Sequence, residues 1–260
     1  MTYELLDVSL EVDGRPVLRD LSFSVAERER VVVLGVNGCG KTSLLRLLDG
    51  LAFPTRGEVR HAGTRLDARA LEGAPFRRRF RGEVAFLFQN VDAMLFNPTV
   101  ADEIAFGPRQ LGLDDVDGRV ARWADALGVA PLLSRPPFEL SGGEKKRVAL
   151  AALLAGDPRV LLLDEATANL DPAWAGKLVD LLAGRPDLTV VSATHNLSVA
   201  EELGSRALLL APAGAGLLFD GSTSALLRDP LLLVRSGLAH RHAHTHDGAG
   251  HAHFHVHDVE

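Results

Sequence analysis

Gly35-Val36-Asn37-Gly38-Cys39-Gly40-Lys41-Thr42 has the make-up of a phosphate cradle. Glycines at 35, 38 and 40 let the backbone curl so that successive N–H groups point inward. Those donors, with the positive end of a following helix, suit phosphate oxygens. Lys41 then reaches the β- and γ-phosphates, the Thr42 hydroxyl is a ligand for Mg²⁺, and Ser43 is next along the helix. Further on, Leu161-Leu162-Leu163 runs into Asp164-Glu165. Apolar residues directly before an acidic pair mark a strand end rather than a solvated surface. Asp164 is placed to hold Mg²⁺ through water, and Glu165 to polarise water for attack on a γ-phosphate as general base. His195 follows the run Val190-Val191-Ser192-Ala193-Thr194. A lone histidine at a strand end is usually structural; in this company it reads as a γ-phosphate contact. The chemistry implied is hydrolysis of a nucleoside triphosphate.

These groups need a scaffold that delivers them to one edge. Val31–Leu34, Val84–Phe88, Val160–Leu163 and Leu188–Ser192 are short apolar runs with the character of strands buried on both faces of a sheet. Helical patterns lie between them, at Ser43–Leu48, Val100–Leu111, Val116–Leu127, Gly143–Leu154, Ala173–Leu182 and Leu197–Leu203. Alternation of this kind predicts an α/β fold with a mostly parallel sheet. Ahead of it, Leu5–Val12 and Leu18–Val25 flank the turn Asp13-Gly14-Arg15-Pro16, which predicts an N-terminal antiparallel β subdomain. Residues from about 92 to 155 read as an inserted helical subdomain, and Leu208–Leu210 with Leu217–Phe219 as a closing hairpin.

Composition narrows the partners. With 260 residues, 47% of them hydrophobic, the chain can bury a substantial core. The net charge of −6 argues against nucleic acid as a partner, because a phosphate backbone favours basic surfaces. Arg77-Arg78-Arg79 with Arg81 is the one basic knot, read as a solvated face or a contact with a charged partner. One cysteine rules out an internal disulfide framework and fits a reducing compartment. Met1-Thr2-Tyr3-Glu4 lacks the basic start of a leader, so none is expected. The apolar stretch from Ala207 to Phe219 is too short to span a bilayer and is broken by Pro212, Gly214 and Gly216. A membrane role would therefore run through another chain. Cys39 either merely fits where the loop needs a small residue, or presents a thiol whose modification blocks nucleotide binding.

About a hundred residues after the phosphate loop comes Leu140-Ser141-Gly142-Gly143-Glu144. With Gln89, Asn169-Leu170-Asp171 and the residues above, in this order and spacing, the chain resembles an ATP-binding cassette (ABC) ATPase subunit over roughly residues 3–235. The resemblance implies a P-loop NTPase-like core and a head-to-tail dimer, either a homodimer or a heterodimer with a second ABC ATPase subunit. Each ATP would lie between one chain's phosphate loop and the other's Ser141, Gly142, Gly143 and Glu144, presented from a helix N-terminus suited to anions. Asp171 would couple the two sites, and Gln89 would link Mg²⁺ and water to the helical subdomain.

A closer resemblance runs through Phe88-Gln89-Asn90, Leu95-Phe96-Asn97-Pro98-Thr99-Val100 and Ile104-Ala105-Phe106-Gly107-Pro108. It is similar to the ATPases of energy-coupling-factor importers, especially those for cobalt and nickel. This implies docking on a membrane scaffold protein, beside a substrate-binding membrane protein, at the cytoplasmic face of the cell membrane. Phe96 and Phe106 would face that scaffold or else belong to the core. Three positions depart from the pattern. Leu10-Glu11-Val12 offers no aromatic ring for adenine, and Tyr3, the only tyrosine, lies too early. Val91-Asp92-Ala93-Met94 replaces a more polar segment, and Ala166 stands where proline is common.

The cassette reading covers residues 1–238; at 239 the composition changes. His240, His242, His244, His246, His251, His253, His255 and His257 are eight of the ten histidines in the chain. Such a tail cannot bury a core and is expected to lack fixed structure. Imidazole suits Ni²⁺, Co²⁺, Zn²⁺ and Cu²⁺. Histidine tail and cassette resemblance converge on an importer of nickel or cobalt. The alternatives are the same engine serving a vitamin or other organic substrate, a soluble non-transport ABC ATPase, and a metal store whose cassette is vestigial.

Overall fold

The computed structural model describes every residue except Asn169, Asp247, Gly248 and 257–260, and describes residues 240–246 and 249–256 by their backbone alone. The chain forms two compact units, residues 1–68 with 190–260, and residues 69–189.

The first unit opens with β1 (Tyr3–Val12) and β2 (Arg15–Val25), which pair antiparallel across Asp13-Gly14. Both turn residues have positive φ, 51° and 71°, the conformation that a tight hairpin demands. There follow β3 (Arg30–Leu34), α1 (Lys41–Leu48), β4 (Arg56–His61) and β5 (Thr64–Arg65). Strand order β2-β1-β4-β5 makes the expected antiparallel sheet.

The second unit holds α2 (Ala68–Glu72), α3 (Ala74–Glu83), β6 (Val84–Leu87), α4 (Val100–Leu111), α5 (Val116–Ala126), α6 (Gly142–Ala155), β7 (Val160–Asp164) and α7 (Pro172–Ala183). Polar residues start α4, α5, α6 and α7. Thr99 Oγ1 accepts from Asp102 N at 3.1 Å to cap α4, and Asp115 Oδ1 accepts from Gly118 N at 3.2 Å to cap α5. Both helices pack on α6, and Val100, Ile104, Val120, Trp123, Val148 and Leu150 are buried.

The chain then returns to the first unit with β8 (Thr189–Thr194), α8 (Ala200–Leu203), β9 (Arg206–Leu210), β10 (Leu217–Ser222), α9 (Thr223–Leu227) and α10 (Pro230–Ser236). There β3 lies between β8 and β9, parallel to both, and β10 closes antiparallel on β9 as the hairpin reading predicts. Val31, Val32, Val33 and Leu34 are fully buried, as a strand covered on both faces must be. Last, β11 (Ala239–His246) pairs antiparallel with β12 (Ala249–Val256), and with no other strand among the described residues. The period-two alternation of histidines matches strand geometry, although a lone two-stranded ribbon is marginal in water.

Two registers decide where the chemistry goes. In the first unit Leu34 lies opposite Thr194, so Gly35 and His195 leave adjacent parallel strands at the same end. In the second, Leu87 lies opposite Leu163, so Phe88-Gln89 and Asp164-Glu165 also leave together. Residues 56–83 hold two strands and two helices that have no counterpart in the sequence reading. β4, Arg-Gly-Glu-Val-Arg-His, carries only one aliphatic side chain beyond glycine, and α3 carries four arginines.

Candidate ATP site

In the first unit the phosphate loop is wrapped tightly. Gly40 has φ +105°, and a Cβ there would sit 2.7 Å from Leu18 Cδ2 and 2.9 Å from the Val17 carbonyl, so β2 backs the loop and only glycine fits. Gly35 begins it, where a Cβ would lie 2.5 Å from Cys39 Sγ. Cys39 is 1% exposed, which corrects the idea of a reactive thiol: its side chain fills the space under Gly35 and is inaccessible to a reagent in this fold. Val36 accepts from Cys39 N at 3.2 Å, closing the turn over Asn37 and Gly38.

Lys41 is the first residue of α1 and is 6% exposed. Its Nζ donates to the Gly35 carbonyl at 2.7 Å and to that of Val36 at 3.3 Å, so the ammonium lies inside the arch of the loop. No side chain caps α1. The first N–H groups of a helix have no intrahelical acceptor, so this end suits an anion. Thr42 and Ser43 follow in the first turn, both half-buried. His195 emerges next to this loop by the β3–β8 register, and the chain beyond it is pinned by Asn196 N donating to Thr194 Oγ1 at 3.1 Å.

In the second unit β7 is buried along its whole length and delivers Asp164, 1% exposed, and Glu165, 5% exposed. Glu165 has φ +50°, a left-handed conformation uncommon outside glycine, and turns the chain sharply at the strand end. Ala168 N closes that turn on the Glu165 carbonyl at 3.1 Å. Asp171 caps α7, accepting from Trp174 N at 3.0 Å, while Asn169 lies outside the described residues. Gln89 is exposed just after β6.

Ser141 caps α6 in a reciprocal box. Glu144 N donates to Ser141 Oγ at 3.4 Å, and Ser141 N donates back to Glu144 Oε2 at 2.8 Å. The Ser141 N–H, then its hydroxyl, hold the Glu144 carboxyl below the usual carboxylate range. Gly142 is the first residue of α6, and a Cβ on it would meet nothing within 4 Å.

The sequence reading missed the residues around these motifs. Glu103 is 3% exposed and accepts from the backbone N of Phe96 at 2.9 Å and of Asn97 at 2.8 Å. It thereby presents Phe96, 66% exposed, in edge contact with Phe106, 39% exposed; the two aromatics are surface residues, not core. Lys146, buried beside Glu165, was also missed, though the run Lys145-Lys146-Arg147 directly after Glu144 was a signal. Tyr3 is fully buried against His61 at 5.0 Å, so it belongs to the core.

A loop that places a buried lysine under curled amides, with a histidine at its side, is nucleotide chemistry of one type, and the family comparison agrees. The sequence model of the family described as "ABC transporter" matches residues 18–168. The chain belongs to the ABC transporter ATPases. Among its relatives in this family, the nickel import ATP-binding protein NikO of Rhodobacter capsulatus is 42% identical over 215 residues, 80% of this chain and 85% of that protein. The energy-coupling factor transporter ATP-binding protein EcfA of Methanothermobacter thermautotrophicus is 38% identical over 240 residues, 90% of this chain and 75% of that protein. The solved structure of CbiO1 from Clostridium perfringens, described as part of the ABC transporter complex CbiONQ, superimposes with a TM-score of 0.75 at 25% identity, covering 91% of this chain and 94% of that one. This ABC ATPase therefore has the α/β fold with an antiparallel β subdomain that its motifs predict, and it hydrolyses ATP as a subunit related to importers. Among the described residues no helix is long and apolar enough to cross a membrane.

Proposed function

We propose that this chain is the ATP-hydrolysing subunit of an energy-coupling-factor type importer for nickel or cobalt ions, working in a dimer on the cytoplasmic face of the cell membrane. One observation carries the membrane-coupling part of the reading. The Phe96–Phe106 pair stands exposed a few residues after Gln89, on backbone locked by the buried Glu103 carboxylate. Large aromatics held rigidly in solvent are what a partner's apolar helices would cover. The 42% identity with a nickel import protein supports the cargo.

The residues fit ATP with Mg²⁺. Loop amides and the Lys41 ammonium of the first unit would meet phosphate charge; Thr42 in that unit, and Asp164 and Gln89 in the second, carry hard oxygen donors of the kind Mg²⁺ takes and are the residues that would hold it. When bound, Mg²⁺ neutralises charge on the β- and γ-phosphates. His195, beside the loop, supplies a hydrogen-bond donor to the γ-phosphate. Glu165 takes the proton of the attacking water as the water oxygen bonds to phosphorus and the bond to the β-phosphate oxygen breaks, leaving ADP and phosphate.

Gly142 supports the dimer. Its φ is ordinary, its Cβ position is empty, and α6 would be more stable with alanine there. A glycine that its own chain does not require leaves room for something from outside, and a phosphate of ATP held by a second ABC ATPase, identical or not, fits that space.

The tail adds a metal reservoir. His240, His242, His244, His246, His251, His253 and His255 lie on segments described by backbone only, and His257 lies outside the described residues. Their spacing suits capture of Ni²⁺, Co²⁺ or Zn²⁺ by a segment without a core of its own. The test is copurification with the membrane partners, reconstitution, and ATP-driven uptake of radiolabelled Ni²⁺ and Co²⁺. Uptake of either ion, abolished by Glu165→Gln with MgATP binding retained, is expected. Uptake of an organic substrate alone would refute the cargo, and unchanged hydrolysis in Glu165→Gln would remove Glu165 as base.

A further inference from the structure

Three consecutive basic residues leave the start of α6 in three directions. Lys145 Nζ reaches Asp92 Oδ1 at 2.7 Å, three residues after Gln89. Arg147 donates to the carbonyls of Leu127 at 3.2 Å and Gly128 at 3.1 Å, and its guanidinium lies 4.1 Å from the ring centre of Trp174, three residues after Asp171. Lys146, between them, points inward and is 3% exposed. Its Nζ donates to the carbonyl of Glu165 at 2.8 Å and to the carbonyl of Ala168.

A lysine is almost never fully buried unless its charge is met, and an ammonium out of water needs acceptors for its protons. Burial pushes the Lys146 ammonium down from its ordinary pKa, while the charges of Glu165 and Asp164 act the other way. The two acceptors named are backbone carbonyls at either end of one turn, and that turn begins at the residue with φ +50°. A left-handed conformation at a bulky residue persists only where the surroundings over-determine it. Here two constraints meet on one atom: the Glu165 carbonyl accepts from Ala168 N within the turn and from Lys146 Nζ across it. The side chain of Glu165 leaves from the same constrained Cα, so the direction of its carboxylate follows the turn.

We propose that Lys146 is a positioning residue for hydrolysis: by clamping the carbonyls of Glu165 and Ala168 it holds the left-handed turn and ties the aim of the Glu165 carboxylate to the helix that begins with Ser141, Gly142 and Gly143. The inference rests on the reading of Glu165 as general base. Lys146 lies four positions after Gly142, about one helical turn, so the two move as a rigid piece of α6. Engagement of a phosphate at the N-terminus of α6 is thereby felt at the carboxylate of the same chain. Lys145 and Arg147 brace the piece against the segments that follow Gln89 and Asp171.

The test uses the full chain with Lys146→Met, close in length but without a donor, and Lys146→Ala. Steady-state hydrolysis by Lys146→Met should lose between about tenfold and a hundredfold in kcat, the cost of a misplaced catalytic group, with KM for MgATP changed less than about twofold. Ethylamine or propylamine should restore part of kcat in Lys146→Ala and have no effect on wild type. Hydrogen exchange at Ala168 N should accelerate while the β7 amides stay protected. A kcat in Lys146→Met within about twofold of wild type would overturn the proposal. So would a parallel loss of MgATP affinity with no response to amines, the behaviour of a mere packing residue. Should Lys146→Met lose its thermal transition, Lys146→Gln decides: with an N–H donor it must retain more kcat than Lys146→Ala, and equality refutes the clamp. Glu165→Gln tests the underlying reading separately, because its failure leaves hydrolysis intact in a chain whose Lys146 is unchanged.

Discussion

Replacing Gly142 by alanine separates what the fold needs from what the function needs. Gly142 is the first residue of α6, it does not have a positive φ, and an added Cβ would meet nothing within 4 Å beyond its chain neighbours and its own helix backbone. Nothing inside the chain opposes the methyl group. Glycine costs more conformational entropy on folding than alanine does, so at a compatible position the change stabilises by about 0.4–1 kcal/mol. For a chain of this size each kcal/mol moves the melting temperature by about 2–4 °C, which gives a rise of about 1–4 °C. Hydrolysis should move the other way. A methyl group at the N-terminus of α6 stands where a phosphate of the partner's ATP would be cradled, and a charge-assisted hydrogen bond lost there is worth about 1.5–3 kcal/mol. At about 1.4 kcal/mol per decade, turnover should fall between about tenfold and somewhat over a hundredfold. Thermal denaturation without nucleotide reads the first effect. ATPase assays at saturating MgATP, with size exclusion of the Glu165→Gln background in MgATP, read the second. A variant that is stabilised and still hydrolyses ATP at the wild-type rate would refute the dimer reading of the glycine. A destabilised variant would refute the structural half.

Glu165→Ala and Glu165→Gly both delete the carboxylate and should both stop hydrolysis, but at φ +50° alanine pays the left-handed penalty of about 1–2 kcal/mol and glycine does not. After glycine's own entropy cost of about 0.5–1 kcal/mol, the glycine variant should unfold at the higher urea concentration, and the reverse order would contradict the strained turn. The Glu144 carboxyl is held below the usual range by the Ser141 N–H and hydroxyl, so its contribution to stability is present above about pH 4.3 and is lost as pH falls through the lowered value. The group is only partly buried and solvent screens it, so the effect is a few tenths of a kcal/mol at most. Glu144→Gln should flatten that part of the acid limb in a urea titration series, and an unaltered limb would exclude Glu144 as its source. Deleting residues 240–260 should leave ATP turnover intact and abolish most Ni²⁺ binding in equilibrium dialysis; loss of hydrolysis would give the tail a different role.

Local chemistry made much of this protein readable. The phosphate loop is legible because glycines at its turns, followed by Lys41 and Thr42, are suited to curling a backbone around phosphate, and the β3 and β7 strands because their apolar runs suit burial on both faces. Caps at Thr99, Ser141 and Asp171 also follow from residue type, since a short polar side chain before a helix satisfies its free N–H groups. The segment 56–83 was opaque because β4 takes its place in a sheet from pairing with β1, not from any pattern of its own. Whether Phe96 and Phe106 are core or surface could not be told from composition, because their exposure depends on a buried glutamate seven residues downstream of Phe96 that braces the backbone. Cys39 shows the same limit in reverse: its neighbours in sequence suggest an open loop, and the close approach of Gly35 buries it. The identity of the candidate catalytic groups and the order in which the chain presents them were therefore legible in the sequence alone. Their aim was decided only by tertiary structure, because a left-handed turn at Glu165 and an ammonium that clamps it come from residues nineteen positions apart, and no local preference brings those two together.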